Sequence, residues 1–291
     1  MTLDSHDFET ALNNIEATER HHLLRELKSP NFCGYLRGTK QPPEQLAPQL
    51  LELAKCFAET PVSGFHVGAV ALGSSGRIYL GANLEFSGAP LSASLHAEQS
   101  AILNAWMHGE PSIERLIVSE TPCGHCRQFL NELSEVEQLV IEFGGAAYKL
   151  WDLLPQAFGS TRKAGHGLLD SPSKQLACIR PVQGDLHQRA INAAERSYVP
   201  YSEGYAGFAL TCTDGKTYGG RSAESAAFNP SVPAVTCALN QRNLSSSRDW
   251  NICAATQSQL ATAVHSQYEF AETILRRITS ASVEKVLIEV V

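Results

Sequence analysis

The sequence predicts an α/β protein made of two copies of one unit, preceded by a small helical domain. Three observations support this fold class. Apolar runs of strand length alternate with segments of helical periodicity, which is typical of helices packed on a mixed sheet. One segment of the first half recurs in the second half, and a stretch rich in Pro, Gly and Ser separates them. The 291 residues, 43% of them hydrophobic, suffice to bury the cores of two domains.

The beginning of the chain predicts helices and then a hairpin. Residues 1–42 carry a polar helical pattern that ends in Gly and paired Pro, so we expect a small helical N-terminal domain there. A helix is predicted over 45–59. Two apolar runs, FHVGAVAL at 65–72 and RIYLGANLEF at 77–86, are joined by the turn GSSG and predict a β-hairpin.

The unit continues with alternating helices and strands. HAEQSAILNAW predicts a helix from His96, and LIVSE predicts a short strand after it. A second helix carries an apolar stripe that begins at Cys126, and QLVIEF predicts one more strand. We therefore expect a layered α/β domain over residues 43–155, with helices on a mixed sheet.

The second half repeats this pattern. PVSGFHVGAVALGSSGRIYLGANLE, from Pro61, and PYSEGYAGFALTCTDGKTYGGRSAE, from Pro200, align without gaps at a shift of 139. A linker at 156–182 and a second copy at 183–291 follow from this duplication. The matched identical pairs are Pro61/Pro200, Ser63/Ser202, Gly68/Gly207, Gly76/Gly215, Tyr79/Tyr218, Gly81/Gly220 and Glu85/Glu224.

The stretch TPCGHCRQFL contains two cysteines, Cys123 and Cys126, at the predicted start of a helix. Thiolates are favoured there by the unpaired amides of the first turn. Two thiolates rarely satisfy zinc alone, and His96, which also opens a helix, is the leading third ligand. Three protein ligands leave a fourth position for water, which is typical of a catalytic zinc site.

Other interpretations of this motif stay open at this point. His125 could complete a structural zinc clip, although it lies inside the CxxC spacing. A CxxC pair could instead be redox-active, but that interpretation leaves the segment HAE unexplained. Glu98, two residues after His96, could exchange protons with water or could simply be an acid at a helix N-terminus.

The two motifs together match a known signature. H-x-E followed by P-C-x-x-C is typical of zinc deaminases, in which the Glu is a general acid and base and not a ligand. Here the signature is His96-Ala97-Glu98 and Pro122-Cys123-Gly124-His125-Cys126. The sequence contains neither a P-loop nor a GxGxxG motif.

Over nearly its whole length the chain resembles the long, homodimeric branch of the cytidine deaminases. FHVGAV, GANLEF, HAEQSA and TPCGHCRQF carry the resemblance. It implies a duplicated cytidine deaminase-like three-layer α/β/α unit and one zinc ion per chain. It also implies hydrolysis of cytidine and 2′-deoxycytidine to the uracil nucleosides and ammonia, a reaction of pyrimidine salvage, in a homodimer.

The resemblance also implies a role for individual residues. His96, Cys123 and Cys126 would hold zinc, and Glu98 would move protons. From the residues alone, Phe65 could also be an ordinary core aromatic, and Glu85 could simply end a strand. The substrate contacts implied are Phe65 stacked on the pyrimidine, Asn83 and Glu85 on the ribose 3′-hydroxyl, Ala97 beside the substrate, and Phe158 as one candidate for closing the pocket of a partner subunit.

The second copy lacks this chemistry. At the shift of 139, Val235 and Cys237 take the places of His96 and Glu98, and no CxxC follows residue 190. We therefore expect a catalytically inert copy.

Composition narrows the partners and the compartment. A formal charge of −7 without a dense Lys/Arg cluster argues against nucleic acid and favours a small molecule. Eight cysteines are too few for a disulfide scaffold, and the acidic beginning lacks the order of a signal peptide. We expect a cytoplasmic protein without membrane contact. Two rivals stay open: a related deaminase acting on a base, nucleotide or polynucleotide, and a zinc-bearing binding protein without turnover.

Overall fold

The computed structural model describes residues 5–159, 165–245 and 251–291, and these residues form two mixed β-sheets with helices packed on them. The elements before the first sheet are α1 (Ser5–Ala11), α2 (Ala17–Leu27), β1 (Tyr35–Leu36), α3 (Pro43–Leu46) and α4 (Leu51–Lys55). A 3₁₀ turn, Ala47–Leu50, separates α3 from α4, so the single helix predicted over 45–59 is wrong. Pro48 lies in that turn, and its missing N–H interrupts an α-helical ladder.

The first sheet has the strand order β1-β3-β2-β4-β5-β6. Only the β4/β5 pair is parallel, and β2 and β3 form the predicted antiparallel hairpin. The elements of this unit are β2 (Gly68–Gly73), β3 (Ile78–Ala82), α5 (Ala97–Met107), β4 (Ile113–Val118), α6 (Gly124–Leu130), β5 (Val140–Phe143), β6 (Ala146–Lys149) and α7 (Leu150–Leu153), with a 3₁₀ turn at Leu91–Ala93.

The two faces of this sheet bury two different sets of helices. Because side chains alternate along a strand, Val70 and Leu72 of β2 pack with α1 to α4, whereas Ala69 and Ala71 pack with α5 and α6. This gives the predicted α/β/α layering. The helices before residue 42 share their apolar core with the sheet, and the domain boundaries predicted at 42, 155 and 182 stay predictions.

The second sheet has the order β7-β11-β10-β8-β9, again with one parallel pair, β10/β11. Its succession of hairpin, helix and two parallel strands reproduces that of the first unit, so the duplication is confirmed. Its elements are β7 (Leu176–Cys178), α8 (Asp185–Glu195), β8 (Ala206–Cys212), β9 (Thr217–Arg221), α9 (Ala234–Asn243), β10 (Ile252–Leu260), α10 (Tyr268–Ile278) and β11 (Val283–Val290).

The structure corrects the alignment of the two central helices. Leu84 bridges to Leu95 in the first copy, whereas Ala223 bridges to Val232 in the second, so the second connection is two residues shorter. The shift in the helices is therefore 137 and not 139. Pro233 and Val235, rather than Val235 and Cys237, stand in the places of His96 and Glu98. The second copy still lacks a ligand and an acid at these positions.

Helix α5 lies between its own sheet and helix α9 of the second copy. The Ser100 hydroxyl donates to the Asn240 side chain at 2.6 Å, and the Asn240 amide donates back to the Ser100 carbonyl at 3.1 Å. Both residues are fully buried.

Among the described residues, no helix has the length and apolar character needed to cross a membrane.

Candidate metal and catalytic site

The beginnings of two helices bring the three predicted ligands together. His96 is the N-cap of α5 and Cys123 is the N-cap of α6, with Cys126 in the first turn of the same helix. The Gln99 side chain accepts from the His96 backbone N–H at 3.4 Å and donates to the Pro230 carbonyl at 2.8 Å. The backbone of His96 is thereby tied to the second copy.

The ligand atoms have the separations that a tetrahedral ion requires. His96 Nδ1 lies 3.4 Å from Cys123 Sγ, which lies 3.7 Å from Cys126 Sγ. Zinc with Zn–S bonds of about 2.3 Å and a Zn–N bond of about 2.0 Å would separate two sulfurs by about 3.8 Å and nitrogen from sulfur by about 3.5 Å. Across residues 5–159, 165–245 and 251–291, this is the only such group of three or more His, Cys, Asp or Glu ligands.

The pKa values of the three candidate ligands are shifted by their contacts with one another. A hydrogen bond with Cys126 lowers the pKa of Cys123 to about 3, against the effect of partial burial. The pKa of Cys126 is raised well above its usual value by the same hydrogen bond and by burial. The hydrogen bond with Cys123 raises the pKa of His96. The thiolate form is thus favoured at Cys123, and a bound metal ion would favour the thiolate form of Cys126 as well.

Both alternatives for the CxxC motif lose support. The His125 ring stacks on the His96 ring, with centroids 5.4 Å apart and planes at 22°, and His125 does not belong to the ligand group. The two cysteines are free thiols. The His96 nitrogen beside the two thiols forms a third ligand for a metal ion, which a redox pair would not use.

Glu98 lies in the first turn of α5, beside the ligands but outside their group. Its side chain is buried, with 5% of its surface exposed. Burial raises the pKa of Glu98, and a hydrogen bond with Cys126 acts in the opposite direction. A carboxyl group whose pKa is moved towards neutrality is suited to both accepting and donating a proton.

The strand predicted over 65–72 begins only at Gly68, and Asn83 binds the segment before it. The Asn83 side chain accepts from the Val67 N–H at 2.9 Å and donates to the Phe65 carbonyl at 2.8 Å. Before Gly68 the backbone pairing with β3 continues through a longer bond, from the Asn83 N–H to the Val67 carbonyl at 3.3 Å, and the side-chain bonds of Asn83 add to it. Phe65 is 57% exposed, so it is not a core aromatic within this chain.

Glu85 closes the turn that precedes Phe65. Its carboxylate accepts from the N–H groups of Val62 and Ser63 at 3.0 and 2.9 Å, and from the Ser63 hydroxyl at 2.6 Å. Burial raises the pKa of Glu85, but these hydrogen bonds outweigh burial, and the net pKa lies below its usual value. Glu224 makes the same three bonds in the second copy, to the N–H groups of Tyr201 and Ser202 and to the Ser202 hydroxyl.

Ala97 and Phe158 differ in their exposure. Ala97 is buried, whereas Phe158 is 65% exposed. The Phe158 carbonyl accepts from Nε2 of the Gln128 side chain at 2.7 Å, and the Phe158 N–H donates to Oε1 of the same side chain at 3.2 Å. Gln128 lies on α6, so the backbone of Phe158 is attached to the helix that carries the cysteines. The sequence offered no signal for Gln128 beyond its place in TPCGHCRQF.

The comparisons with known proteins agree with this geometry. Two family models, each described as "Cytidine and deoxycytidylate deaminase zinc-binding region", match residues 42–143 and 150–272. The chain is 42% identical over 244 residues to a cytidine deaminase of Yersinia pestis (strain Pestoides F), covering 84% of this chain and 83% of the relative. It is 36% identical over 298 residues to that of Serratia proteamaculans (strain 568), covering 96% and 98%.

Solved structures match about two fifths of the chain. Cytidine deaminase from Mycobacterium tuberculosis is 31% identical, with a TM-score of 0.37, over 40% of this chain and 97% of that chain. That of Burkholderia pseudomallei is 26% identical, with a TM-score of 0.36, over 39% and 98%.

The ligand set predicts one zinc ion per chain. Cys123→Ala and Cys126→Ala should each reduce bound zinc towards zero, because two remaining ligands hold zinc poorly. Cys237→Ala is the control, since Cys237 is buried in the second copy and outside the ligand group. Elemental analysis of the purified proteins measures the content. Two zinc ions per wild-type chain, or zinc loss in Cys237→Ala, would contradict the assignment.

Proposed function

The chain belongs to the cytidine deaminase family, and we propose that it hydrolyses cytidine and 2′-deoxycytidine to uridine and 2′-deoxyuridine with release of ammonia. The observation that carries this proposal is the cluster of His96, Cys123 and Cys126 with the buried carboxyl group of Glu98 beside it. Zinc is the cofactor that this donor set fits.

The residues of the cluster and Glu98 would have separate roles in the reaction. His96, Cys123 and Cys126 would hold zinc, which when bound acts as a Lewis acid that makes a water molecule more acidic. Glu98 would accept a proton as this water attacks C4 of the pyrimidine, and would deliver it to ring N3. The same carboxylate would then take the second proton of the water, from the hydroxyl group at C4, and pass it to the leaving amine. Its burial favours the protonated form that exists between the acceptance and the delivery of each proton.

The nucleoside would bind over the loop that Asn83 and Glu85 hold in place. Glu85 Oε1 accepts one hydrogen bond, from Ser63, and a carboxylate oxygen has capacity for another. Asn83 Nδ2 donates to Phe65 and has a second N–H. Both groups could therefore hold the loop and the 3′-hydroxyl together. The exposed Phe65 ring would stack on the pyrimidine, and Ala97 would lie beside it.

We also propose a homodimer with two zinc sites that serves pyrimidine salvage in the cytoplasm. The exposed rings of Phe65, Phe158 and Phe228, between 57% and 67% exposed, support a covering subunit. Symmetric dimers are the commonest closed assembly, and Phe158 would close the partner's pocket.

Light scattering of the active protein should give the mass of two chains, and full activity in a single chain would contradict this.

Glu98→Gln tests the division of roles. The variant should retain zinc, because Glu98 is not a ligand, and kcat should fall by about 10²–10⁴-fold or more, because one carboxyl group performs several proton transfers. Cytidine turnover, followed by ultraviolet absorbance, and zinc content are the measurements. Glu114→Gln, an exposed acid on β4, is the control. Loss of zinc with Glu98, or retained turnover, would refute the assignment.

Glu85→Ala tests the sugar contact. Leaving a buried hydroxyl unpaired costs about 1–3 kcal/mol, so kcat/KM for both nucleosides should fall on the order of tenfold or more. The wild type should also prefer cytidine over 3′-deoxycytidine, and Glu85→Ala should reduce that preference on the order of tenfold, with Asn83 as the remaining contact.

Glu224→Ala is the matched control for Glu85→Ala, since Glu224 closes the equivalent turn of the second copy. It should lose a similar amount of stability and keep the preference for the 3′-hydroxyl. If Glu85→Ala keeps that preference as well, Glu85 supports only the loop.

A further inference from the structure

Glu132 is a buried carboxylate that joins the zinc-binding helix to the second copy. It lies two residues beyond the end of α6 and is 1% exposed. Oε2 accepts from the phenols of Tyr198 and Tyr201 at 2.8 and 2.7 Å, and Oε1 accepts from the Ala226 N–H at 2.9 Å. All three donors belong to the second copy.

The backbone of Glu132 is held as firmly as its side chain. Its N–H donates to the Phe129 carbonyl of α6 at 3.0 Å, and its carbonyl accepts from the Leu168 N–H at 2.8 Å. Within the described parts of the chain, no salt bridge neutralises Glu132. A buried carboxylate without a cation depends on its hydrogen bonds. The contacts of the Glu132 side chain and backbone therefore hold the C-terminal end of α6 in place.

The two phenols are specific to the second copy. Glu59 and Tyr198 occupy equivalent places, because their N–H groups donate to the carbonyls of Asn83 and Ser222, which differ by the same shift of 139. At that shift Val62 corresponds to Tyr201. The first copy thus has no phenol at either position, and the copy that lost the zinc ligands carries both donors to Glu132.

Helix α6 needs support at its end. It has seven residues, and a helix of this length is not stable without tertiary contacts. Cys123 is its N-cap, Cys126 lies in its first turn, and its last turn leads directly to Glu132. A displacement at the end of so short a helix is transmitted to the thiols at its beginning.

We propose that Glu132 is a positioning residue for the zinc ligands, and that Tyr198 and Tyr201 of the inert copy set its place. The second copy thereby holds α6 in the orientation at which Cys123 and Cys126 meet His96. This inference rests on the zinc site proposed above.

Glu132→Gln is the test, and Glu110→Gln is its matched control. Glu110 is also 1% exposed and accepts from a phenol, Tyr79 at 2.8 Å, and from the N–H and hydroxyl of Ser75. It follows the end of α5 that is remote from His96. The two variants therefore disturb similar buried networks, of which only one touches α6.

The measurements are the rate of zinc release to a chromogenic chelator at 25 °C, the melting temperature, and kcat and KM for cytidine. Glu132→Gln should release zinc about 10–100-fold faster than the wild type, as expected for a residue that orients metal ligands, and should lower kcat with little change in KM. Glu110→Gln should lower the melting temperature and release zinc at the wild-type rate.

Tyr201→Phe is a milder variant that tests the same link if Glu132→Gln does not fold. Alone it should also speed zinc release, and combined with Glu132→Gln it should add little, because both variants weaken the same hydrogen-bond network. Equal zinc release from Glu132→Gln and Glu110→Gln, or wild-type release from Tyr201→Phe, would overturn the positioning role. A wild-type protein without zinc would instead overturn the metal site itself.

Discussion

The close approach of helix α5 to strand β3 is the contact on which the site depends. A Cβ atom at Gly81 would lie 2.3 Å from the Ala101 nitrogen and 2.5 Å from the Ala97 carbonyl oxygen, so only glycine permits this contact. The first turn of α5 thus lies directly on the sheet, and His96 and Glu98 are placed with it. Gly220 permits the same approach of α9, because a Cβ atom there would lie 2.1 Å from the Ala234 carbonyl oxygen and 2.2 Å from the Ala238 nitrogen.

Both copies keep the close contact between the glycine and the helix, but they differ in the residues at the beginning of that helix. The second copy keeps the turn closed by Glu224 and the glycine under its helix, but has Pro233 and Val235 where a ligand and an acid would be needed. Its own side chains and backbone reach into the catalytic copy instead. Pro230 anchors the side chain of Gln99 next to His96, and the phenols of Tyr198 and Tyr201 hold Glu132 beyond the cysteines.

The sequence-based prediction of the ligand group rested on local structure, and the structure brings His96, Cys123 and Cys126 together. His96, Glu98, Cys123 and Cys126 lie at helix beginnings, where spacing along the chain determines which side chains face the same way. The alignment of the second helix was wrong because a gap-free comparison does not register a shortened loop. Glu132 was missed because its donors lie 66 to 94 residues away, and such a contact is decided by packing and not by a motif.

The pairing of unlike copies has a physical basis in the interface between α5 and α9. Ser100 and Asn240 are buried and satisfy each other there. At the shift of 137, Cys237 is the counterpart of Ser100, and Leu103 is the counterpart of Asn240. The same contact between two catalytic copies would set the Ser100 hydroxyl against Leu103 and leave it without this partner, which is costly in a buried position. The hydrogen bonds are therefore made only when α5 meets α9, a helix that lacks the ligand and the acid, and this contact favours the pairing of unlike copies over the pairing of like ones.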